Sequence, residues 1–385
     1  FWLAWSLLSI FSVYPLQSWL GSYLRQTGLL FYFWLAFWYS FVVYYFGGFY
    51  RTDNSFSFWK KGAGLSAFLM GIAGTVAGVY AFLQFCGYDF AVWQESQLYG
   101  RAIGTLGQPN FLGSFLLATL AMTAYTFFSV SNIRWKIFSV FMFVCQLAGL
   151  VLSGSRSAWL AFIVVLVFLF LLFSWRRWRW RALLASVIVS VFFIGILFFA
   201  MPVRMNALFD SGYGSIALRR YFYQSAWNAI EERPFFGVGL ENGGEVFAAG
   251  YQSNWGTLMN IDSYTDKAHN NILDIIVQTG LVGFIFWAGL NIFLFGQCYL
   301  LWRRRETRAF AVAALSALAA YGISLLFGIS DISGVFYFWV IAALAVAGNS
   351  SFSRDSHRPG WLQARLIFVK IFLKTKKKIL SLSIK

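Results

Sequence analysis

The sequence predicts an all-α protein that crosses a membrane many times, and three observations lead to that prediction. Hydrophobic residues make up 59% of the 385 residues, only 11% are charged, and the mean hydropathy is +0.66. Soluble proteins carry about 25% charged residues. The hydrophobic residues form runs of roughly 20, the length of a membrane-spanning helix. The basic residues collect in alternate connections between these runs.

About 10 runs are long enough to be spanning helices: 3–20, 28–49, 62–86, 110–130, 135–153, 157–175, 182–201, 271–301, 309–327 and 333–348. Because that number is even, both ends of the chain are expected on the same side of the membrane. The sequence begins at Phe1, inside an apolar run, so we expect an N-terminally truncated chain. A final short run, 361–373, contains Arg365 and Lys370 and is expected to lie at the interface.

Hydropathy and charge divide the chain into four predicted parts. Residues 1–201 carry transmembrane helices 1–7, residues 202–270 form a large extracytoplasmic loop domain, residues 271–348 carry helices 8–10, and residues 349–385 form a basic tail. The net charge of +16 comes mainly from alternate loops and the tail, which the positive-inside rule assigns to the cytoplasm. In a bacterium the loop domain would then face the periplasm or exterior. This charge favours contact with anionic lipids and not with nucleic acid.

Two outer segments place arginine next to small polar residues. Arg101 and Asn110 lie at the two ends of a glycine-rich run that leads into a helix, and Arg156 lies within Ser153–Trp159 at a membrane boundary. The first segment is also compatible with an ordinary turn and cap, and Arg156 with an anchor at the interface.

The loop contains one predicted helix in which two neighbouring arginines have different surroundings. At helical period, Arg220 shares a polar face with Gln224, Asn228 and Glu231, so it is expected to be solvated. Arg219 falls on the opposite, buried face, where a charge is costly unless it meets an anion or a carboxylate. Arg219 is therefore a candidate either for ligand binding or for a salt bridge within the loop.

The loop ends at a histidine that opens a hydrophobic helix. Asn270 is expected to cap this helix, and such a helix start attracts anions. A neutral histidine at His269 can remove a proton from a hydroxyl group, although a structural role is equally open. Asp274 follows in the first turns and should have a partner or a role, with Asp331 as one candidate partner. Before the loop reaches this point, Pro234 should end a helix and 237–239 should form a flexible turn.

These outer arginines predict a phosphate site at the membrane surface, because guanidinium groups pair bidentately with phosphate oxygens. The sequence contains no HExxH or DxD motif, and its three cysteines have no metal-ligand spacing. We therefore predict neither a metal nor a cofactor.

The segments resemble, in order, those of the O-antigen ligase superfamily, which includes O-antigen polymerases and bacterial O-oligosaccharyltransferases. The resemblance rests on the run 104–110, on Ser153–Trp159, on the arginine-led helix that precedes Arg233–Gly239, and on His269-Asn270. It covers about residues 98–285.

The resemblance implies an inverting, metal-independent glycosyltransferase in the bacterial cytoplasmic membrane. Its donor would be a glycan linked to undecaprenyl diphosphate, and its acceptor a hydroxyl group. In the family the histidine after the large loop is the base, which carries over to His269. The diphosphate ligands carry over to Arg156 and Arg219, with Arg220 as the alternative to Arg219 and Arg101 as a further ligand. Supporting positions are Asn110, Asn270 and Asp274.

The resemblance does not identify the acceptor. The acceptor can be a lipid A-core, a polysaccharide repeat or a protein. A solute transporter is the alternative from another class. A transporter is expected to have internal repeats, broken helices or charges near the middle of the membrane. Every Lys and Arg here can be assigned to a loop, a boundary or the tail, and no repeat is found, which favours the enzyme.

Overall fold

A computed structural model describes residues 11–23, 25–48, 54–89, 100–173, 179–206, 215–250 and 265–355. All regular structure in these ranges is helical, which confirms the predicted all-α class. The α-helices are α1 (Pro15–Leu20), α2 (Leu29–Phe46), α3 (Ser55–Phe85), α4 (Pro109–Ser129), α5 (Ile133–Leu152), α6 (Arg156–Phe173), α7 (Arg179–Ala200), α8 (Pro202–Asn206), α9 (Ser215–Glu232), α10 (Gly243–Ala249), α11 (Asn271–Trp302), α12 (Arg308–Leu325) and α13 (Ile332–Asp355). A short 3-10 helix, Gly104–Leu106, precedes α4.

The predicted polytopic architecture is confirmed, although the number of spans is not. Within the described ranges, seven helices are long and apolar enough to cross a bilayer, namely α2, α3, α4, α5, α11, α12 and α13. Helices α6 and α7 contribute the shorter apolar stretches Arg156–Val167 and Leu184–Ala200. The first predicted span, 3–20, falls largely outside the described residues, and only the short helix α1 is seen at its end. A total of ten spans stays a prediction.

Helix α4 lies at the centre of the bundle and packs against α3, α5 and α12. Small residues allow these close contacts, as is common between helices in membranes. A side chain at Gly74 of α3 would overlap the hydroxyl group of Thr119 on α4. On α5, the side-chain amide of Gln146 donates to the Gly71 carbonyl oxygen at 3.0 Å and to the Thr123 hydroxyl at 2.8 Å. The buried side chain of Gln146 thus joins the three helices, and in lipid its amide group would have no hydrogen-bond partner.

Helix α11 is broken at Gly280, where the backbone has φ 64° and ψ −174°. The break leaves backbone groups without helical partners, and a segment that follows α9 supplies them. The amide groups of Val238 and Gly239 donate to carbonyl oxygens of Val277 and Gln278, both at 2.9 Å. On the other side of the break, the Leu281 amide donates to the Pro234 carbonyl oxygen at 2.8 Å.

These contacts correct one prediction about the loop. Helix α9 does end just before Pro234, as predicted, but the segment 237–239 is not a flexible turn. Val238 and Gly239 are held against α11 by two of the backbone hydrogen bonds described above, and the preceding Pro234 and Phe235 accept two more, the last from the Val282 amide at 3.2 Å. Gly237 is required there because a side chain would lie 2.5 Å from the Val277 carbonyl oxygen. The loop is therefore built into the start of α11.

Candidate functional site

The candidate site lies where α9 and α10 pack over the first half of α11. A small apolar core joins the three helices through Phe222 and Ala226 of α9, Phe247 of α10 and Val277 of α11. Ala268, just before α11, belongs to the same core and is fully buried. The packing places the histidine that follows Ala268 against the arginine-bearing helix α9.

His269 is held in an orientation that suits a base. Its backbone has φ 58°, a left-handed conformation that is uncommon for residues other than glycine. Its Nδ1 atom lies 3.3 Å from the carbonyl oxygen of Lys267. Because a carbonyl oxygen only accepts, Nδ1 carries the proton in the neutral ring and Nε2 keeps its lone pair. The ring stacks on Phe222 of α9, with a centroid distance of 5.6 Å.

The surroundings of His269 favour the neutral imidazole. Burial lowers the pKa of His269 below its usual value, and the positive charges of Arg219 and Arg25 lower it further, whereas the hydrogen bond to Lys267 opposes these effects. A histidine with a lowered pKa is unprotonated at neutral pH and is able to accept a proton.

The residues that follow His269 fix the start of α11. The Asn270 side chain accepts hydrogen bonds from the amides of Ile272 and Leu273, at 3.1 and 3.3 Å, so Asn270 is the predicted cap. Asp274 is buried in the first turn, and its carboxylate accepts a hydrogen bond from the Ala268 amide at 2.6 Å. Both side chains thus hold the backbone on either side of the histidine.

Helix α9 has the orientation that its sequence predicts. Arg220, Gln224, Asn228 and Glu231 are exposed, whereas Arg219 is half-buried. Arg219 donates from Nη2 to the carbonyl oxygen of Phe327 at 2.6 Å. Its Nε atom is buried and has no hydrogen-bond partner among the residues that the structure describes. Within the described part of the chain, Arg219 has no carboxylate at salt-bridge distance, so the salt bridge considered from the sequence is not seen there.

Arg156 begins helix α6 and lies close enough to Arg219 for the two charges to interact. Burial lowers the pKa of Arg219, and the positive charge of Arg156 lowers it further. Two neighbouring guanidinium groups repel each other, and an anion between them would relieve that repulsion. Arg156, Arg219 and His269 are therefore brought together from α6, α9 and the start of α11.

Arg101 and Asn110 contact each other at the entrance of α4. Arg101 donates from Nη2 to the Asn110 side-chain oxygen and from Nε to the Ser153 carbonyl oxygen, both at 3.0 Å. Asn110 lies one residue inside α4, which is preceded by Gln108, so it does not cap that helix. In this structure Arg101 joins the entrance of α4 to Ser153, three residues before Arg156.

Asp331 lies in the connection before α13. Its carboxylate accepts a hydrogen bond from the Gly334 amide at 2.9 Å, and burial raises its pKa to about 6. This hydrogen bond is local, and Asp331 therefore stabilises the first turn of α13.

Sequence reasoning missed the residues that support the histidine. Phe222 lies under the imidazole ring, and two ion pairs, Lys267 with Glu241 and Asp266 with Arg25, hold the residues just before it. Phe222 lies one helical turn from Arg219, so the helix phase that singled out Arg219 could have found it. The ion pairs join residues that are far apart in the sequence, so no local sequence pattern predicts them.

Two comparisons with known proteins bear on this site. Residues 141–288 match the family model described as O-Antigen ligase. The chain is also similar to the ComP-specific O-oligosaccharyltransferase of Acinetobacter baylyi (strain ATCC 33305 / BD413 / ADP1), with 24% identity over 220 residues. That alignment covers 54% of this chain but only 36% of the relative, so the chain spans about a third of the relative's length.

The match to the family model includes the residues that meet at the site. Arg156, Arg219 and His269 all fall within 141–288, whereas Arg101 and Asn110 lie before it. Together the comparisons confirm the resemblance to the O-antigen ligase superfamily. The apolar helices agree with a multi-pass membrane protein.

Proposed function

We propose, from the confirmed resemblance to the O-antigen ligase superfamily, that this protein transfers a glycan from undecaprenyl diphosphate to an acceptor hydroxyl group. The observation that carries the proposal is that Arg219 lies within electrostatic range of both His269 and Arg156, which begins a separate helix. The diphosphate would lie against Arg156 and Arg219, and the lipid chain would lie among the helices. Arg220, which is exposed, is the alternative phosphate ligand.

His269 is the proposed general base. Nε2 takes the proton of the acceptor hydroxyl, and the oxygen attacks the anomeric carbon of the donor sugar. The bond between that carbon and the diphosphate oxygen breaks, and its electron pair leaves with the diphosphate. Attack opposite the leaving group inverts the anomeric centre. General base catalysis is worth about 10²- to 10⁴-fold in rate.

The arginines are the proposed stabilisers of the leaving group. Negative charge grows on the bridging oxygen of the diphosphate as the sugar departs, and guanidinium groups stabilise that charge strongly in a site with little water. The buried Nε of Arg219, which has no partner within the described residues, is available for this contact. Because the chemistry then needs only a base and cationic groups, we propose that it proceeds without a metal or cofactor.

The proposed location is the bacterial cytoplasmic membrane, with the site on the periplasmic or outer side. The proposal rests on the charge pattern of the sequence and on the positive-inside rule. The acceptor is proposed only by class, as a glycolipid, a polysaccharide repeat or a protein. The similarity to a ComP-specific O-oligosaccharyltransferase favours testing a protein acceptor first.

Replacement of His269 tests the proposal directly. His269→Ala and His269→Asn should both reduce glycan transfer in membranes by about 10²-fold or more, because each removes the base. Asn tolerates the left-handed backbone of this position better than Ala does, so a loss in both variants excludes backbone strain as the cause. The measurement is transfer of glycan from the lipid-linked donor, followed by mass spectrometry. Asn228→Ala, on the exposed face of α9, is the control and should transfer normally.

A solute transporter is the second candidate, because a broken helix is a feature of transporters and α11 is broken at Gly280. Here, however, backbone groups of the Pro234–Gly239 segment form hydrogen bonds with the backbone on both sides of the break. Uptake of solute by vesicles that lack any lipid-linked glycan would support the transporter. Full transfer activity in both His269 variants would contradict the proposed enzyme mechanism.

A further inference from the structure

We propose that Glu241 and Lys267 are positioning residues for His269. Their buried ion pair fixes the turn 265–270 and, through the Lys267 carbonyl group, the tautomer in which the imidazole meets the acceptor. The inference rests on the proposed function, in which His269 is the base.

Glu241 is the centre of a fully bonded polar cluster. Its side chain is 3% exposed and accepts hydrogen bonds from the Lys267 ammonium group at 2.6 Å and from the Ser22 hydroxyl at 2.9 Å. Its backbone amide donates to the Gln278 side chain at 2.9 Å, and its carbonyl oxygen accepts from the Gln17 side chain at 2.7 Å. Glu241 is therefore fixed from three different parts of the chain.

The turn that carries His269 is held at successive residues. Asp266 pairs with Arg25, Lys267 pairs with Glu241, and the amide of Ala268 donates to Asp274. The carbonyl oxygen of Lys267 accepts from the Thr265 hydroxyl at 2.7 Å and faces Nδ1 of His269 at 3.3 Å. The atom that sets the tautomer thus belongs to the residue whose side chain is tied to Glu241.

The buried pair, more than the Arg25–Asp266 pair, should control this turn. The Lys267 side chain is 10% exposed and that of Glu241 is 3% exposed, whereas the Arg25 and Asp266 side chains are 20% and 21% exposed. Burial alone would raise the pKa of Glu241, but the charge and hydrogen bond of Lys267 lower it below its usual value. Removal of one member of a buried pair leaves an uncompensated charge, and this penalty grows with burial.

The imidazole can be observed directly, because the chain has only two histidines. In protein labelled with ¹⁵N-histidine, the His357→Gln substitution identifies the signals of His269. The ¹⁵N shifts then report which ring nitrogen carries the proton. The test variant is the double substitution Glu241→Gln with Lys267→Met, which removes both charges and leaves neither unpaired. The matched control is Glu232→Gln, which removes an exposed carboxylate at the end of α9.

We expect the wild type and Glu232→Gln to show the Nδ1–H tautomer. The double variant should show a mixture with the Nε2–H form, and its kcat should fall by about 10- to 100-fold, since small misplacements of a reacting group cost that much. The KM for the donor should change by less than about twofold, because the diphosphate ligands are untouched. A folded, inserted double variant with the wild-type tautomer and kcat would overturn the inference.

A second variant keeps the inference testable if the double variant does not insert. Lys267→Gln retains a hydrogen-bond donor to Glu241 and should give an intermediate tautomer ratio and kcat. Wild-type values in this variant would also overturn the inference. The ¹⁵N measurement needs no substrate, so it separates this inference from the proposed function, which fails if both His269 variants transfer glycan normally.

Discussion

Two adjacent arginines on α9, Arg219 and Arg220, differ in their burial and therefore in how strongly they would bind an anion. The Nε atom of Arg219 is buried and has no hydrogen-bond partner within the described residues, whereas Arg220 is exposed to solvent. A buried donor without a partner is costly, and a phosphate oxygen would satisfy it. The charge on Arg219 is therefore the one whose removal should weaken donor binding and leaving-group stabilisation.

Arg219→Ala should reduce kcat/KM for the lipid-linked donor on the order of 10²-fold, as expected when a donor to a developing negative charge is removed. Arg220→Ala should cost less, because water screens an exposed charge. Steady-state kinetics of the two variants in matched membranes measure the difference. If Arg220→Ala lost more activity than Arg219→Ala, the assignment of the phosphate ligand to Arg219 would be wrong.

For individual residues, the helical period of the sequence predicted only which face of a helix each side chain lies on. The period placed Arg219 on the buried face and Arg220 on the exposed face, and the structure agrees. It could not predict that Glu241 supports Lys267, since that pair depends on how the loop folds back on itself. It also could not find that Asn110 binds Arg101 instead of capping a helix.

Among the helices, α11 departs most from the prediction. Hydropathy predicted one span over 271–301, and a helix does cover Asn271–Trp302, but it is interrupted at Gly280. The sequence is equally apolar on both sides of the break, so the hydropathy pattern does not predict the break. The cause lies 45 residues earlier, where the carbonyl group of Phe235 takes the space that a side chain at position 280 would need.

Gly280→Ala should destabilise the start of α11. The backbone at this position has φ 64° and ψ −174°, a region open essentially to glycine alone, and occupying it costs another residue about 1–3 kcal/mol. A Cβ atom would also lie 2.2 Å from the carbonyl carbon of Phe235. Thermal unfolding of the purified protein should show a lower midpoint.

Gly289→Ala is the matched control for this experiment. It lies in the same helix, and a Cβ atom there meets no atom within 4 Å. Its unfolding midpoint should be unchanged or slightly raised, because alanine has the higher helix propensity. Equal midpoints for Gly280→Ala and Gly289→Ala would show that the break is not a rigid part of the fold.

The described part of the molecule is a helical bundle, and the candidate site lies where α9 and α10 pack over the start of α11. Composition and run length were sufficient to predict this class, because water-free surroundings demand long apolar helices. The side of the membrane on which the site lies depends on the charge pattern alone. It can be tested with the cysteines of the chain.

Cys86 follows α3 at the predicted outer end and is exposed, whereas Cys145 is half-buried and Cys298 is buried. A membrane-impermeant maleimide should therefore label right-side-out vesicles, and Cys86→Ser should remove the label. Ser131→Cys in that background, at the exposed connection before α5, should be labelled only in inverted vesicles. The opposite labelling pattern would place the site in the cytoplasm.

The sealing of α11 by the Pro234–Gly239 segment has a consequence for biogenesis. A ribosome makes this segment before it makes the break at Gly280, so the segment is already synthesised when the break emerges. The half of α11 after Gly280 is about 33 Å long, enough to insert by itself. The half before it ends in carbonyl groups, those of Val277 and Gln278, that accept hydrogen bonds from this segment. Substitutions within Pro234–Gly239 should therefore damage assembly of the nascent chain.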